Sequence, residues 1–437
     1  MSTQHEFSDI VGKFASESFP AASRRRKFSF STTLFAVIAF STIACESPPA
    51  VIAPPKISVV DTPAPVGSAQ PGVTVGPLGT LYLSWQERRA DSSVALRYVF
   101  RANPDAPWSA VHEVQTGKNI MASGVDVPTI HEQTGGRLIA VWRGSHDTKG
   151  YDVVLAHSDD QGKTWSTAHS PHRDSTTTEH GFTSWLQMGD TSALVWVDGR
   201  HHADADKATQ NSALTLAMFD PNGEPEVEKV LDPKICDCCH TSSALVPGGA
   251  VVVYRDRHDG EIRDISAIRL FNGTWREPVS VHNDNWHITG CPVNGPAVSA
   301  QNANVVVAWF TAANDSARVR VAFSKDTANT FSAPIEVNEG FPDGRVGVVL
   351  TPNGTAVVSW IERRGAVAVL RVRTVTANGA RSATADIAEL GEGKRAGGAP
   401  KLIANGNKII VAWADAATNR VKLAEVQTAA APHAKTQ

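Results

Sequence analysis

The sequence is short of charge, tyrosine and methionine. Charged residues are 19% of its 437 positions, and there are four Tyr and four Met. So little charge, with 33 Gly and 25 Pro, excludes a coiled coil or a disordered chain and fits a rigid, turn-rich β protein. A basic excess is missing too. Against 41 Lys and Arg stand 44 Asp and Glu, for a net charge of −3, which gives no support for a nucleic-acid partner. The apolar run at residues 34–40 is too short, and its neighbours too rich in Ser and Thr, to span a bilayer. Length alone would allow several domains, but large all-β folds often exceed 200 residues as one unit.

What is present begins with a targeting segment, residues 1–45. Arg24, Arg25, Arg26 and Lys27 form a basic patch ahead of that apolar run. Thr42-Ile43-Ala44-Cys45 follows and resembles the bacterial lipobox, in which the Cys is lipidated, although Thr42 stands where Leu is usual. Cys45 is therefore the expected anchor, and the membrane an expected partner through its lipid. A plain signal peptide cut near Cys45 is the alternative. Arg25-Arg26-Lys27-Phe28 also resembles a twin-arginine signal, so export by either route stays open. Removing residues 1–44 takes away five basic and three acidic side chains, leaving a net charge of −5. Residues 46–66, with six Pro, make a semi-rigid stalk. A tail is expected at 431–437.

Between stalk and tail one pattern recurs seven times. Apolar runs end in Trp85, Trp142, Trp196, Tyr254, Trp309, Trp360 and Trp413, spaced by 57, 54, 58, 55, 51 and 53 residues. A unit of about 50 residues built only of short strands is the size of a four-stranded propeller blade. The expected fold is all-β, one propeller over residues 56–430, with seven blades favoured and six the alternative. The last unit stops after its third strand. Residues 56–60, before the first unit, could supply the fourth and close the ring.

One turn is more specific. Ser158-Asp159-Asp160-Gln161-Gly162-Lys163-Thr164-Trp165 fits Ser-x-Asp-x-Gly-x-Thr-Trp throughout, and residues 324–331 repeat it with Ala328 in the Gly place. Ser158 and Asp160 can bond turn backbone, Gly162 can supply a positive φ, Thr164 can return a hydroxyl and Trp165 can pack between sheets. This is a structural device and carries no chemistry.

The chemistry is expected at one mouth of the central channel, where the loops before each first strand meet those after each second strand. Cys236, Cys238, Cys239 and His240 precede the fourth unit, and Cys291 and Asn294 the fifth. An even number of cysteines in an oxidising compartment reads as two disulfides. The alternative is copper or zinc on the thiolates with His240, and with His180 from the third unit, although the spacing matches no standard zinc pattern. Past the second strands lie Arg143, Asp198, Arg200, Arg255, Asp256, Arg257, Glu261, Arg263, Asp264, Glu362 and Arg363. Guanidinium forks there would take an anion, whereas blade-to-blade ion pairs are the structural reading. Arg345, Arg395, Asp126 and Glu179 stand near first strands.

The complete turn, its decayed copy and the repeated unit resemble the sialidase-like (Asp-box, or BNR-repeat) propellers over nearly all of the mature chain. Tyr254-Arg255-Asp256-Arg257 and Gly290-Cys291-Pro292-Val293-Asn294-Gly295-Pro296 resemble a bacterial group of sialidase-like lipoproteins. The resemblance implies three arginines on a substrate carboxylate, a Tyr nucleophile activated by Glu, and an acid/base Asp. The Arg-Ile-Pro-type motif that should carry the first arginine is absent; the comparable place reads Gly124-Val125-Asp126-Val127-Pro128. No Tyr/Glu pair can be assigned by motif among Tyr82, Tyr98, Tyr151 and Tyr254. The expectation is a monomeric envelope lipoprotein that binds an anionic small molecule or glycan at the Arg/Cys-lined mouth, with no cofactor required. The alternatives are an exo-α-sialidase-type glycoside hydrolase and a copper- or soft-metal-handling protein.

Overall fold

Seven antiparallel sheets follow one another around a channel in the computed structural model. It describes residues 52–122, 124–146, 150–207, 209–220, 223–393 and 398–428. The targeting segment with Cys45, Arg395 and the tail lie outside them.

The strands come in chain order within each blade. The first blade is Ser68–Val75, Leu81–Arg88, Val94–Arg101 and His112–Gly117. The second is Thr129–Glu132, Leu138–Ser145 and Tyr151–Ser158, with a bridge from Leu155 to His169 in the fourth place. The third is His180–Met188, Thr191–Asp198, Ser212–Phe219 and Pro225–Ile235. In the fourth, Ser242–Val246, Gly249–Arg255 and Ile265–Phe271 are followed by a split outer strand, Thr274–Trp275 and Val279–His282. The fifth is Ala297–Gln301, Asn304–Thr311, Arg318–Ser324 and Ile335–Glu336, and the sixth Phe341–Leu350, Ala356–Arg364, Val367–Val375 and Ala385–Glu392. The seventh, Lys401–Asn405, Lys408–Asp415 and Arg420–Gln427, takes its outer strand from Lys56–Val60. The ring thus has seven blades and closes by antiparallel pairing of the two ends of the domain.

Second strands are largely apolar because each is covered on both faces. Odd and even residues face opposite neighbours. In the fifth blade Val305, Val307 and Trp309 pack on the fourth, while Val306 and Ala308 pack on the sixth. Seven such inter-blade clusters form the core, and in each the recurring aromatic faces the preceding blade. A buried indole N–H needs an acceptor. It finds one two residues along the same face: Trp85 donates to Glu87 (2.7 Å), Trp196 to Asp198 (3.2 Å) and Trp360 to Glu362 (2.9 Å). The acid that follows the aromatic therefore satisfies the core.

The Ser-x-Asp-x-Gly-x-Thr-Trp turn is held as its sequence requires. Ser158 Oγ accepts from Gly162 N–H (2.8 Å), and Asp160 accepts from the N–H of Lys163 (3.0 Å) and Thr164 (2.9 Å) and from the Thr164 hydroxyl (2.7 Å). Trp165 meets Tyr98 edge-on. The second copy repeats these bonds through Ser324 and Asp326, with Ala328 at φ 64 where Gly162 has φ 83. A Cβ on Gly162 would lie 1.7 Å from the hydroxyl of the buried Tyr98. Gly162→Ala should therefore cost about 2–3 kcal/mol from left-handed strain and overpacking together. Ala328→Gly should be nearly neutral, since relief of about 1 kcal/mol is offset by losing one buried methyl worth about 0.8 kcal/mol. Urea denaturation of the two variants checks both.

Candidate functional site

The channel mouth is built on irregular first strands. Bulges interrupt the pairing of the first strands of blades one, three and six. Each bulge carries a non-glycine residue at positive φ: Gln70 (52), Phe182 (58) and Arg345 (54). A bulge re-aims a side chain, and left-handed backbone off glycine persists only where its surroundings enforce it.

For Arg345 the enforcing group is Asn294. Asn294 Oδ1 accepts the Arg345 N–H (2.8 Å), its Nδ2 donates to the Asp343 carbonyl (3.0 Å), and the Arg345 guanidinium donates to the Val293 carbonyl. The Asn294 carbonyl in turn accepts from Arg255 Nε (2.9 Å) and Nη2 (2.8 Å). Arg255 is 1% exposed. It also donates to the carbonyls of Arg263 (2.6 Å) and Phe310 (2.7 Å) and lies over the Trp286 ring. Gly295 fits there because a Cβ would lie 1.9 Å from the His240 carbonyl. The Gly290–Pro296 loop is thus a hub that ties blade four to blade six through Arg255 and Arg345.

Beyond the hub a cavity of about 120 Å³ is lined by His240, Arg345, Pro400, Lys401 and neighbours from blades four to seven. Its charges interact across the channel. Burial pushes the Lys401 ammonium down, Arg345 adds to this and Asp126 opposes it. Burial raises the Asp126 carboxyl despite Arg143, the Phe182 N–H and Lys401. Burial, with Lys401, Arg345 and Arg255 beside it, holds His240 well below the usual histidine range and therefore neutral. Arg143 completes the group, its Nε 3.7 Å from Asp126 and its guanidinium 3.4 Å above the Tyr151 ring. Tyr151 donates to Glu179 at 3.2 Å. Burial raises the phenol, Arg143 opposes, and Glu179 and Asp126 raise it further, so it stays protonated. This Tyr/Glu pair has no sequence motif, since its members lie 28 residues apart in different blades.

The cysteines meet at the same end. Cys238 is disulfide-bonded to Cys291, while Cys236 and Cys239 are reduced, buried and 3.3 Å apart. The three sulfurs of Cys236, Cys238 and Cys239 lie within 4.8 Å of one another. The Cys236 thiol is lowered to about 6, chiefly by its hydrogen bond with Cys239, then by Arg255 and Arg263 against its burial. Arg263 Nη1 lies 3.3 Å from its sulfur.

The other arginines of the rim have protein partners. Arg200 bonds Asp198 and Glu228, each at 2.5 Å. Glu261 takes Arg257 (2.7 Å) and Arg263 (2.8 Å). Arg363 takes Asp343 (2.5 Å) and the Gly393 carbonyl (2.6 Å). Asp256 accepts from Ser266 (2.7 Å), and Asp264 accepts the N–H groups of Asn285 (2.8 Å) and Trp286 (3.0 Å).

His180 turns away from the thiols. Its ring stacks on His172 with centroids 3.9 Å apart, and its nitrogens face Asp152 (3.2 Å), Asp174 (3.2 Å) and Asp198 (3.3 Å). Burial opposes its charge, but these carboxylates prevail and push it up to about 11. Sequence reasoning missed His172, Asp152 and Asp174. The available signal was density: seven of the fifteen histidines fall in residues 146–202.

A larger cavity, about 560 Å³, opens at the opposite end of the strands between Thr351, Asn353, Asn407 and Glu425. Its lining carries the Lys408–Glu425 ion pair and no comparable convergence of charge.

No family model and no curated protein matches this chain. Among solved structures, an ulvan lyase of a polysaccharide lyase family superposes with a TM-score of 0.51 at 13% identity, covering 87% of this chain and 97% of that one. A Dyadobacter fermentans protein of unknown function gives 0.46 at 14% identity, over 86% and 98%. The NanB sialidase from Streptococcus pneumoniae gives 0.41 at 12% identity, over 85% and 70%. The first of these likenesses shows a shared fold, and none assigns chemistry.

Proposed function

We propose that this chain is an exported, lipid-anchored propeller of the sialidase-like, Asp-box kind that binds an acidic glycan at the channel mouth. The observation that carries this reading is the cationic excess of the channel. Arg143 and Lys401 act on one carboxylate, Asp126, and Lys401, Arg345 and Arg255 stand beside His240, which burial together with these cations holds neutral. A low-dielectric channel of that sign favours a carboxylate or sulfate, and the Arg fork would orient it. Glu179, exposed beside the Tyr151 hydroxyl, offers an acceptor for sugar hydroxyls. The anchor rests on Cys45 and the segment before it.

Titration calorimetry with N-acetylneuraminate, a glucuronate disaccharide and neutral lactose tests it. An acidic sugar should bind, lactose should not, and Arg345→Ala or Lys401→Ala should each weaken binding about tenfold or more, as expected for a charged hydrogen bond worth ~1.5–3 kcal/mol. Equal affinity for lactose and the acids, or none for any of the three, would sink the reading. The Tyr151–Glu179 pair favours a second reading, a sialidase-type hydrolase. On that reading a fluorogenic sialoside is cleaved, and Tyr151→Phe and Glu179→Gln each abolish cleavage.

A further inference from the structure

Behind the mouth, two dipeptides run side by side: Tyr151-Asp152 opens the third strand of blade two, and Glu179-His180 opens blade three, with a parallel bridge from Tyr151 to Glu179. Tyr151 and Glu179 meet each other. Asp152 and His180 meet a second histidine, His172.

Three atoms converge there. His172 Nε2 lies 3.1 Å and His180 Nδ1 3.2 Å from Asp152 Oδ1, and all three are buried without a hydrogen bond. The side chains of His172 and His180 are 4% and 0% exposed. Their other nitrogens are committed to one carboxylate: Asp174 takes His172 Nδ1 at 2.7 Å and His180 Nε2 at 3.2 Å. Asp174 can keep the N–H on the far side of each ring, which would leave the near nitrogens as lone pairs toward a bound ion. Asp152 is itself steadied by His146 Nε2, 3.0 Å from its other oxygen. Thr176 donates to Asp174 at 2.7 Å. Asp198, third carboxylate of the cluster, receives Trp196 and Arg200.

We propose that Asp152 Oδ1, His172 Nε2 and His180 Nδ1 bind a divalent transition ion of the zinc class, with Asp174 orienting both imidazoles. The three atoms lie within 4.8 Å of one another, the spread a single ion about 2 Å from each would gather in. Two imidazoles and one carboxylate suit Zn²⁺ or its neighbours; Ca²⁺ and Mg²⁺ prefer oxygen alone, and Cu⁺ prefers sulfur. The ion would clasp the two dipeptides and so fix where Tyr151 and Glu179 stand. It is a site apart from the cysteine cluster, and it adjoins the Tyr151–Glu179 pair of the proposed glycan site.

The full chain, produced with zinc in the medium and purified without chelator, should retain about one equivalent by elemental analysis. The chelated protein, reloaded with Co²⁺, should show visible d–d bands without sulfur charge transfer. His172→Ala should lower retained metal at least tenfold, and Asp174→Asn should weaken affinity about 10- to 100-fold. The double variant Cys236→Ser, Cys239→Ser should keep the ion, which separates this site from the thiols. Chelation should lower the melting temperature of the unaltered protein, a readout that stands if His172→Ala fails to fold. The proposal is overturned if the unaltered, folded protein retains neither Zn²⁺ nor Co²⁺ after gel filtration. Metal lost with the cysteines and kept in His172→Ala would overturn it equally, by returning the stacked histidines to two imidazolium ions balanced by three aspartates.

Discussion

Arg255→Met should destabilise the propeller by about 3–5 kcal/mol, the range for removing one partner from a buried, hydrogen-bonded charge network. Methionine matches the volume of the side chain and leaves little cavity, so the loss isolates the guanidinium. Four N–H bonds to three carbonyls, those of Asn294, Arg263 and Phe310, vanish together. At this depth no solvent replaces them, and each stranded acceptor costs ~1–3 kcal/mol. Arg255→Lys should recover only part of the loss, because an ammonium cannot span three carbonyls in a plane or stack on Trp286. Arg363→Met is the control. Its ion pair with Asp343 is partly exposed, 20% and 34%, and should be worth under about 1 kcal/mol. Chemical denaturation ranks the three. Similar midpoints for Arg255→Met and Arg363→Met would mean that the buried Arg255 network adds no more stability than an exposed ion pair. The hub also predicts a coupled effect: Asn294 receives Arg255 and holds Arg345, so Arg255→Met should weaken acidic-sugar binding even where the protein remains folded.

These two arginines show how far residue type alone can be read. Both stand at the ends of largely apolar second strands, and both would make good anion forks. What separates them is the acceptor field: Arg255 is surrounded by backbone carbonyls contributed from residues 294 and 310, and no local pattern announces such partners. The blades were legible for the opposite reason. A strand covered on both faces is largely apolar and ends in a buried aromatic, and in three blades the indole bonds an acid two residues on, so the repeat is written in contiguous sequence. The turn at residues 158–165 is equally local, every bond in it spanning four residues or fewer. Tyr151–Glu179 and the His172–His180–Asp152 cluster are not local. They arise where the irregular outer edge of blade two folds back against the first strand of blade three, and the spacing there follows no period. Histidine density marked that stretch as unusual without saying which rings would meet.

Ring closure yields the second large effect. Excising residues 56–60 from the full chain should lower stability by about 3–5 kcal/mol, a large share of a typical 5–15 kcal/mol total. The excised strand pairs along its whole length with Arg420–Gln427, from Lys56 opposite Gln427 to Val60 opposite Leu423. Its side chains also lock two interfaces at once. Ile57 packs into the cluster between blades six and seven, and Val60 into that between blades seven and one. Positions 57 and 60 differ by an odd number, so they face opposite neighbours, as a strand inserted between two blades requires. Without it the edge of Arg420–Gln427 is left unpaired, a template for pairing with another chain. The excised protein should therefore melt on the order of 10 °C lower, given ~2–4 °C per kcal/mol in a large domain, and should self-associate on gel filtration. A peptide spanning residues 52–62, supplied in excess, should restore both the melting temperature and the monomer by adding the strand back to the edge. Rescue by the peptide would separate loss of the strand from general damage to the chain. An excised protein that melts within 2 °C of the parent would mean that Thr62 and Arg420, which bond across the same seam to Val421 and Ala64, are enough to hold the ring shut.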